Sequence, residues 1–388
     1  MKIGYYVDWL EVYCLERKDN DMVEYLLRQG YKVEIKPYST RVYSQVLEVS
    51  AADGKPLFTV TRGPLSVKDA GRNGVLPSNA CHIKIHNMWC YQKDVGGFMM
   101  KCAQACNARI HSISRVDICA DFQYFYNGLH PGTLLRGFVN EKYLKINQPH
   151  FSLYGTSERG YNEFNGATFG SKNSCVFTRF YCKSIEMQEV KQKNWIVDCW
   201  KALEFDLTKQ VWRVEFMINA PGRRNLNRNT AEVSEITVED LCSPTKIRGL
   251  FISYAKRYFI FTKADSASRK YNQEQLQLFD PSPDIDEFQP YPKVSSSTTN
   301  RTVKTVVKFL KGESMKQYGY TMQQRFDMFS MADKIGIHYH LRDWLRWQEN
   351  NERLDLPTGE PVKNPFTQVQ RSTEIDSEEV TIKQAEIW

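Results

Sequence analysis

The chain has 388 residues, 41% hydrophobic and 13% aromatic, enough for one large packed domain and a smaller one. The formal charge of +7 is uneven: residues 351–388 carry 4 basic against 8 acidic side chains, which leaves +11 on residues 1–350. None of the ten cysteines forms a CxxC pair, Cys102 and Cys106 stand one helical turn apart as core residues do, and no apolar run is long enough to cross a membrane. These features argue against a cysteine metal centre and a membrane protein, and fit reduced thiols in a cytosol. A basic body suits a polyanion, nucleic acid first; a merely solvated basic surface is the equal alternative.

The opening MKIGYYVDWLEVYC reads as a strand over 3–14 rather than a signal peptide. A helix is expected at 20–29, then strands near 31–38 and 41–50. The turn Ala52-Asp53-Gly54 makes 41–62 a hairpin. A strand at 81–89, a helix at 94–109, a strand at 113–125 and a short helix at 132–139 follow. Two strands, near 164–170 and 175–183, flank a Gly-Ser-Lys-Asn-Ser turn. A helix starts about Ser184, a strand runs 211–219 to Pro221-Gly222, and a buried helix covers 244–262. This order is mixed α+β with the strands in one sheet. It places a first domain at 1–262, a Ser- and Pro-rich linker at 263–300, a helical C-terminal region at 301–350, and an acidic disordered tail at 351–388.

Three strands carry reactive side chains on one face, since alternate residues of a strand point the same way. Arg115, Asp117, Cys119 and Asp121 oppose the apolar Val116, Ile118, Ala120 and Phe122. Arg179, Tyr181 and Lys183 oppose Phe180 and Cys182. Arg213 and Glu215 oppose Trp212, Val214 and Phe216. Each strand alone is what a half-exposed strand looks like. Together, the carboxylates invite a divalent cation, Mg²⁺ or Mn²⁺. A tyrosine among cations invites attack on a phosphate, because the cations favour phenolate and hold phosphate oxygens.

The segments VDWLEVY, SRVDICADF, FGSKNSCVFTRFYCKSIE and WRVEFMIN resemble, in order and approximate spacing, the motifs of the Rep_trans replication initiation factors, which include rolling-circle initiators and related relaxases. The Arg-x-Tyr-x-Lys-x-x-Glu block is the most specific piece. The resemblance implies a mainly antiparallel, relaxase- or HUH-like sheet with flanking helices. It implies nicking of one DNA strand at an origin, leaving a 5′-phosphotyrosyl bond and a free 3′-OH, assisted by Mg²⁺ or Mn²⁺. Carried onto this chain, Tyr181 is the nucleophile, with Arg179 and Lys183 beside it. Asp117, Asp121, Glu186 and Glu215 are the metal-ligand candidates, with the choice between Asp117 and Asp121 open and Glu186 alternatively only orienting the helix after Tyr181. Arg115 and Arg213 are candidates to hold phosphate. The family implies origin DNA, single-stranded or hairpin, with host helicase and polymerase, and the cytoplasm of a bacterial host; the oligomeric state is left open, with a homodimer as one option. A mobilisation relaxase, or a non-catalytic DNA-binding protein of the same fold, is the alternative.

The chain departs from the family pattern at Cys182 and at the strand bearing His82, Lys84 and His86, read as facing solvent or DNA rather than a metal. His338-Tyr339-His340 mimics a metal motif without acids nearby. Arg223, Arg224 and Arg228 in GRRNLNRN form a loop expected to grip phosphate. Helix 246–261 is read as a core helix with a basic outer face. In the linker, Gln275-Leu276-Gln277-Leu278-Phe279 resembles the peptide by which bacterial replication proteins bind the sliding clamp; it is expected to be accessible, with Leu278 and Phe279 seeking a partner.

Overall fold

Long stretches of alternating apolar residues become strands here, and the helices that begin at Met22, Val95 and Pro131 start where a side chain caps the first turn. In the computed structural model, which describes residues 2–17, 21–67, 75–158, 161–189, 192–227, 232–264 and 273–280, β1 (Ile3–Glu16) precedes α1 (Met22–Arg28), β2 (Lys32–Ile35), β3 (Tyr43–Ser50), β4 (Pro56–Pro64) and β5 (Ala80–Ile85). A 3-10 turn at Asn87–Tyr91 leads to α2 (Val95–Ala105), β6 (Ala108–Phe122), α3 (Pro131–Val139), β7 (Tyr143–Ile146), β8 (Phe151–Glu158), β9 (Tyr161–Phe169) and β10 (Val176–Cys182). Then come α4 (Lys183–Glu189), α5 (Asn194–Ala202), β11 (Trp212–Asn219), β12 (Arg224–Asn227), β13 (Glu232–Glu235), α6 (Pro244–Tyr258) and β14 (Ile260–Lys263). Asp21 caps α1 by accepting from Val23 N, and Asp94 caps α2 by accepting from Gly97 N; each satisfies a helix-end donor.

The fold is α+β. Ten strands form one sheet in the order β2-β3-β4-β5-β1-β6-β11-β10-β9-β8, antiparallel throughout. Strands β6, β11 and β10, far apart in sequence, are therefore neighbours. One sheet face is the main core: Val7 and Leu10, Val116 and Ile118, Val214 and Phe216, and Phe180 pack with Leu250, Phe251 and Tyr254 of α6. The other face is also covered at one end, where Met187, Ile196, Trp200, Phe205 and Val211 make a second apolar cluster. The polar face is thus not a solvated one. Asp117, Asp121, Tyr181, Arg213 and Glu215 are all buried.

The sequence gives no sign of β8, an edge strand whose Phe151, Ser152 and Tyr154 are exposed, because a strand without a buried face shows no apolar alternation. The helix expected over 244–262 stops at Tyr258, and β14 pairs with β7. The linker expectation is overturned for residues 273–280. Gln275 bridges to Thr262, Leu276 N donates to Phe261 O at 2.8 Å, and Tyr126 N donates to Leu278 O at 2.8 Å. Leu278 and Phe279 are 3% and 6% exposed, and the Phe279 ring lies 5.0 Å from Phe251 and 5.7 Å from Phe122, centre to centre. Two large apolar side chains within reach of an apolar site gain several kcal/mol, roughly 3–6, by leaving water. The sequence Gln275-Leu276-Gln277-Leu278-Phe279 is consequently part of the core and not an accessible clamp peptide. The described residues within 2–225 and 234–280 belong to one compact unit. Residues 301–350, where the sequence predicts a helical region with His338 and His340, and residues 351–388, where it predicts an acidic tail, lie outside the described residues.

Candidate active site

The antiparallel register sets Arg179 opposite Glu215 and Tyr181 opposite Arg213 on β10 and β11. On the other side of β11, Arg213 faces Asp121, Glu215 faces Cys119 and Met217 faces Asp117 of β6. The Tyr181 hydroxyl donates to Glu215 Oε2 at 2.9 Å, and Arg179 Nη1 donates to Glu215 Oε1 at 3.0 Å. The Arg179 guanidinium also lies 4.6 Å from the centre of the Tyr181 ring. Lys183 is the first residue of α4 rather than a strand residue; its ammonium is 5.5 Å from the same ring and 2.7 Å from Glu186 Oε2. Burial, then the Glu215 charge, push the Tyr181 phenol well above its usual range, against the pull of Arg213 and Arg179. The phenol is therefore protonated and delivers its proton toward Glu215.

Tyr181, Arg179 and Glu215 line a cavity of about 710 Å³, shared with Arg115, Lys172, Glu186, Glu189 and Tyr154. Lys172 comes from the β9–β10 turn. Arg115 is held by Asp117, with Nε to Oδ1 at 2.8 Å and Nη2 to Oδ2 at 2.5 Å. Burial raises the Asp117 carboxyl to about 7, with the Glu215 charge adding to it and Arg115 opposing.

Arg213 does not reach this cavity. Its Nε and Nη2 donate to the two oxygens of Asp121 at 2.6 and 2.8 Å, and Nη1 donates to Asp8 Oδ1 at 2.8 Å. Trp200 Nε1 adds a bond to Asp121 Oδ2 at 2.8 Å, and the Tyr91 hydroxyl bonds Asp8. Burial is the largest single influence on Asp8 and raises its carboxyl, yet Arg213, Lys183 and the Tyr91 bond together hold it far below the usual range. Arg213 is 0% exposed, so the expectation that it holds DNA phosphate is overturned: its fork is already filled by carboxylates. Arg223 is likewise buried, 3.2 Å from Glu235, and is not a gripping loop residue. The Arg224 side chain and all of Arg228 lie outside the described residues.

The four expected metal ligands do not converge. Asp117 is paired with Arg115, Asp121 with Arg213, Glu186 with Lys183 and Glu215 with Arg179. A hard divalent cation needs several oxygen donors with uncompensated charge aimed at one point. Among the described residues no three His, Cys, Asp or Glu side chains are so grouped, and the side chains as placed do not fit a Mg²⁺ or Mn²⁺ site. His82 instead meets Glu11 Oε1 at 3.1 Å. Sequence reasoning assigned no role to Asp8, Tyr91 or Trp200. For Asp8 a signal existed: β1 buries Val7, Leu10 and Val12, and the three-residue step between Val7 and Leu10 marks the bulge that turns Asp8 toward Arg213.

No family model matches the chain, and no curated protein matches it. Among solved structures, the chain is similar to the rolling circle replication initiator protein from Geobacillus stearothermophilus, at 12% identity and a TM-score of 0.43, covering 71% of this chain and 93% of that one.

Proposed function

We propose that the protein cuts and rejoins one strand of DNA, as a rolling-circle initiator does, with Tyr181 as nucleophile and Glu215 as its proton acceptor. The observation that carries this reading is the 2.9 Å bond from the Tyr181 hydroxyl to a carboxylate on the wall of a cavity that also holds three cations, Arg115, Lys172 and Arg179. A buried, protonated phenol is a poor nucleophile until a base takes its proton as attack begins. Glu215 is in reach to do so, and Arg179 is placed against both the carboxylate and the ring. A phosphodiester in the cavity would bring negative charge to Arg115, Lys172 and Arg179, which steady the charge that builds at phosphorus. The Tyr181 oxygen–phosphorus bond forms, the bond to the 3′ oxygen breaks, and that oxygen leaves as the hydroxyl after taking a proton from water. Rejoining is the reverse.

The test is covalent capture. The full chain is incubated with single-stranded and hairpin oligonucleotides tiled across candidate origins, and denaturing electrophoresis is followed by peptide mass spectrometry. The expected result is a nucleotide on Tyr181 and no adduct with Tyr181→Phe. An adduct on another tyrosine, or strand binding with no adduct on any substrate, would overturn the proposal, the second outcome in favour of a non-catalytic DNA-binding protein.

A further inference from the structure

Beside the cavity, on the same sheet face, Trp9 stands between two cations. The Lys84 ammonium lies 4.7 Å from its ring centre and the Arg115 guanidinium 4.5 Å. The register explains the arrangement. Glu11 of β1 is opposite Lys84 of β5 on one side and opposite Arg115 of β6 on the other, and Trp9 is two residues along the same face. Its indole N–H points to Glu11 Oε2 at 3.4 Å. The ring is half-buried and is not among the residues of the hydrophobic core.

The two cations differ in kind. Arg115 is fixed by its two bonds to Asp117 and lines the cavity, so one guanidinium touches both the reacting site and the indole. Lys84 is a point charge on a flexible stem. Its contact with the ring face is one that a stacked base would match, and a phosphate would take the ammonium in exchange. Trp9 on β1 is three strands from Tyr181 on β10 and lies in register with Asp117, Met217 and Phe177, so it is about 14 Å from Tyr181 across the strands and about 13 Å along them, roughly 19 Å in all or about six nucleotides at the stacked rise.

We propose that Trp9 is a base-stacking platform for the DNA strand whose phosphate enters the Tyr181 cavity, with Arg115 and Lys84 holding the phosphates on either side of the stacked base. The inference rests on the strand-cutting reading above. Every base has a π face, so the platform gives affinity and sets how far the strand lies from Tyr181, but it does not read sequence. A structural tryptophan would behave otherwise: its loss would weaken all ligands alike through the fold.

The experiment measures binding of the full chain by fluorescence anisotropy to labelled oligothymidylate and to an abasic deoxyribose-phosphate oligomer of equal length. Wild type should prefer oligothymidylate. Trp9→Ala should lose roughly 5- to 100-fold on oligothymidylate and little on the abasic oligomer. Trp9→Phe should retain most of the preference, and Lys84→Ala should weaken both ligands alike. Trp9→Leu, which keeps apolar volume, replaces the alanine variant if that variant melts early. An equal loss on both oligomers, or no loss on either, overturns the platform while adduct formation at Tyr181 still stands. Failure of the wild-type chain to bind any single strand overturns the platform and the strand-cutting reading together.

Discussion

Glu215 divides its two oxygens between a phenol and a cation: Oε2 accepts from the Tyr181 hydroxyl at 2.9 Å, and Oε1 accepts from Arg179 at 3.0 Å. Glu215→Gln keeps the shape of this arrangement and removes the proposed proton acceptor. Single-turnover cleavage should fall by about 100- to 10,000-fold, the usual span for a positioned general base. Affinity for single-stranded DNA should hold or rise, because one negative charge leaves the cavity. Cleavage at the wild-type rate would remove Glu215 from the chemistry.

Asp117 sets a pH dependence of stability. Its folded carboxyl is raised to about 7 by burial first, against about 3.9 in an unfolded chain. The folded state therefore binds this proton more tightly than the unfolded state does. The stabilisation is fully present below about 4 and is lost as pH rises through about 7. Asp117→Asn should be flatter than wild type in unfolding free energy across that window, measured by urea titration at each pH. Parallel pH profiles for the two proteins would contradict this.

Arg213 should matter for folding and not for DNA contact. Removing it leaves Asp121 and Asp8 without their buried counter-charge, and breaking a buried pair from one side costs about 3–5 kcal/mol. Arg213→Met should melt well below wild type, and a partner change of Asp121→Leu should recover part of the loss. If a folded fraction is recovered, the slope of DNA affinity against salt should equal that of wild type, since no phosphate contact has gone. A slope shallower by about one charge would return Arg213 to the DNA surface.

Phe279→Ala should destabilise by about 3–5 kcal/mol and Leu278→Ala by about 2–5 kcal/mol, as core truncations do. Both side chains are nearly inaccessible and join the cluster around Phe122, Phe125 and Phe251. Midpoints of chemical unfolding check this directly. Unchanged midpoints, with capture of a sliding clamp by wild type alone, would restore the exposed-peptide reading.

Much of the site's composition was readable along the chain. Strand periodicity is a local property, so the alternation in 115–121, 179–181 and 213–215 tells which side chains share a face before any pairing is known. The α+β class was readable for the same reason. Which partner each side chain meets was not. Arg213 looked as available to phosphate as Arg179, and Asp121 as available to metal as Glu215. Their fates diverge because β11 lies between β6 and β10, α5 brings Trp200 over Asp121, and a bulge in β1 turns Asp8 inward. The same holds for Leu278 and Phe279, whose neighbours in sequence are polar but whose neighbours in space are the rings of β6 and α6. Short-range backbone geometry makes the chemical inventory and its facing legible along the chain. Which charges neutralise one another and which stay beside the cavity depends on the assembled sheet, because those pairings are made by strands and helices that are distant in the chain.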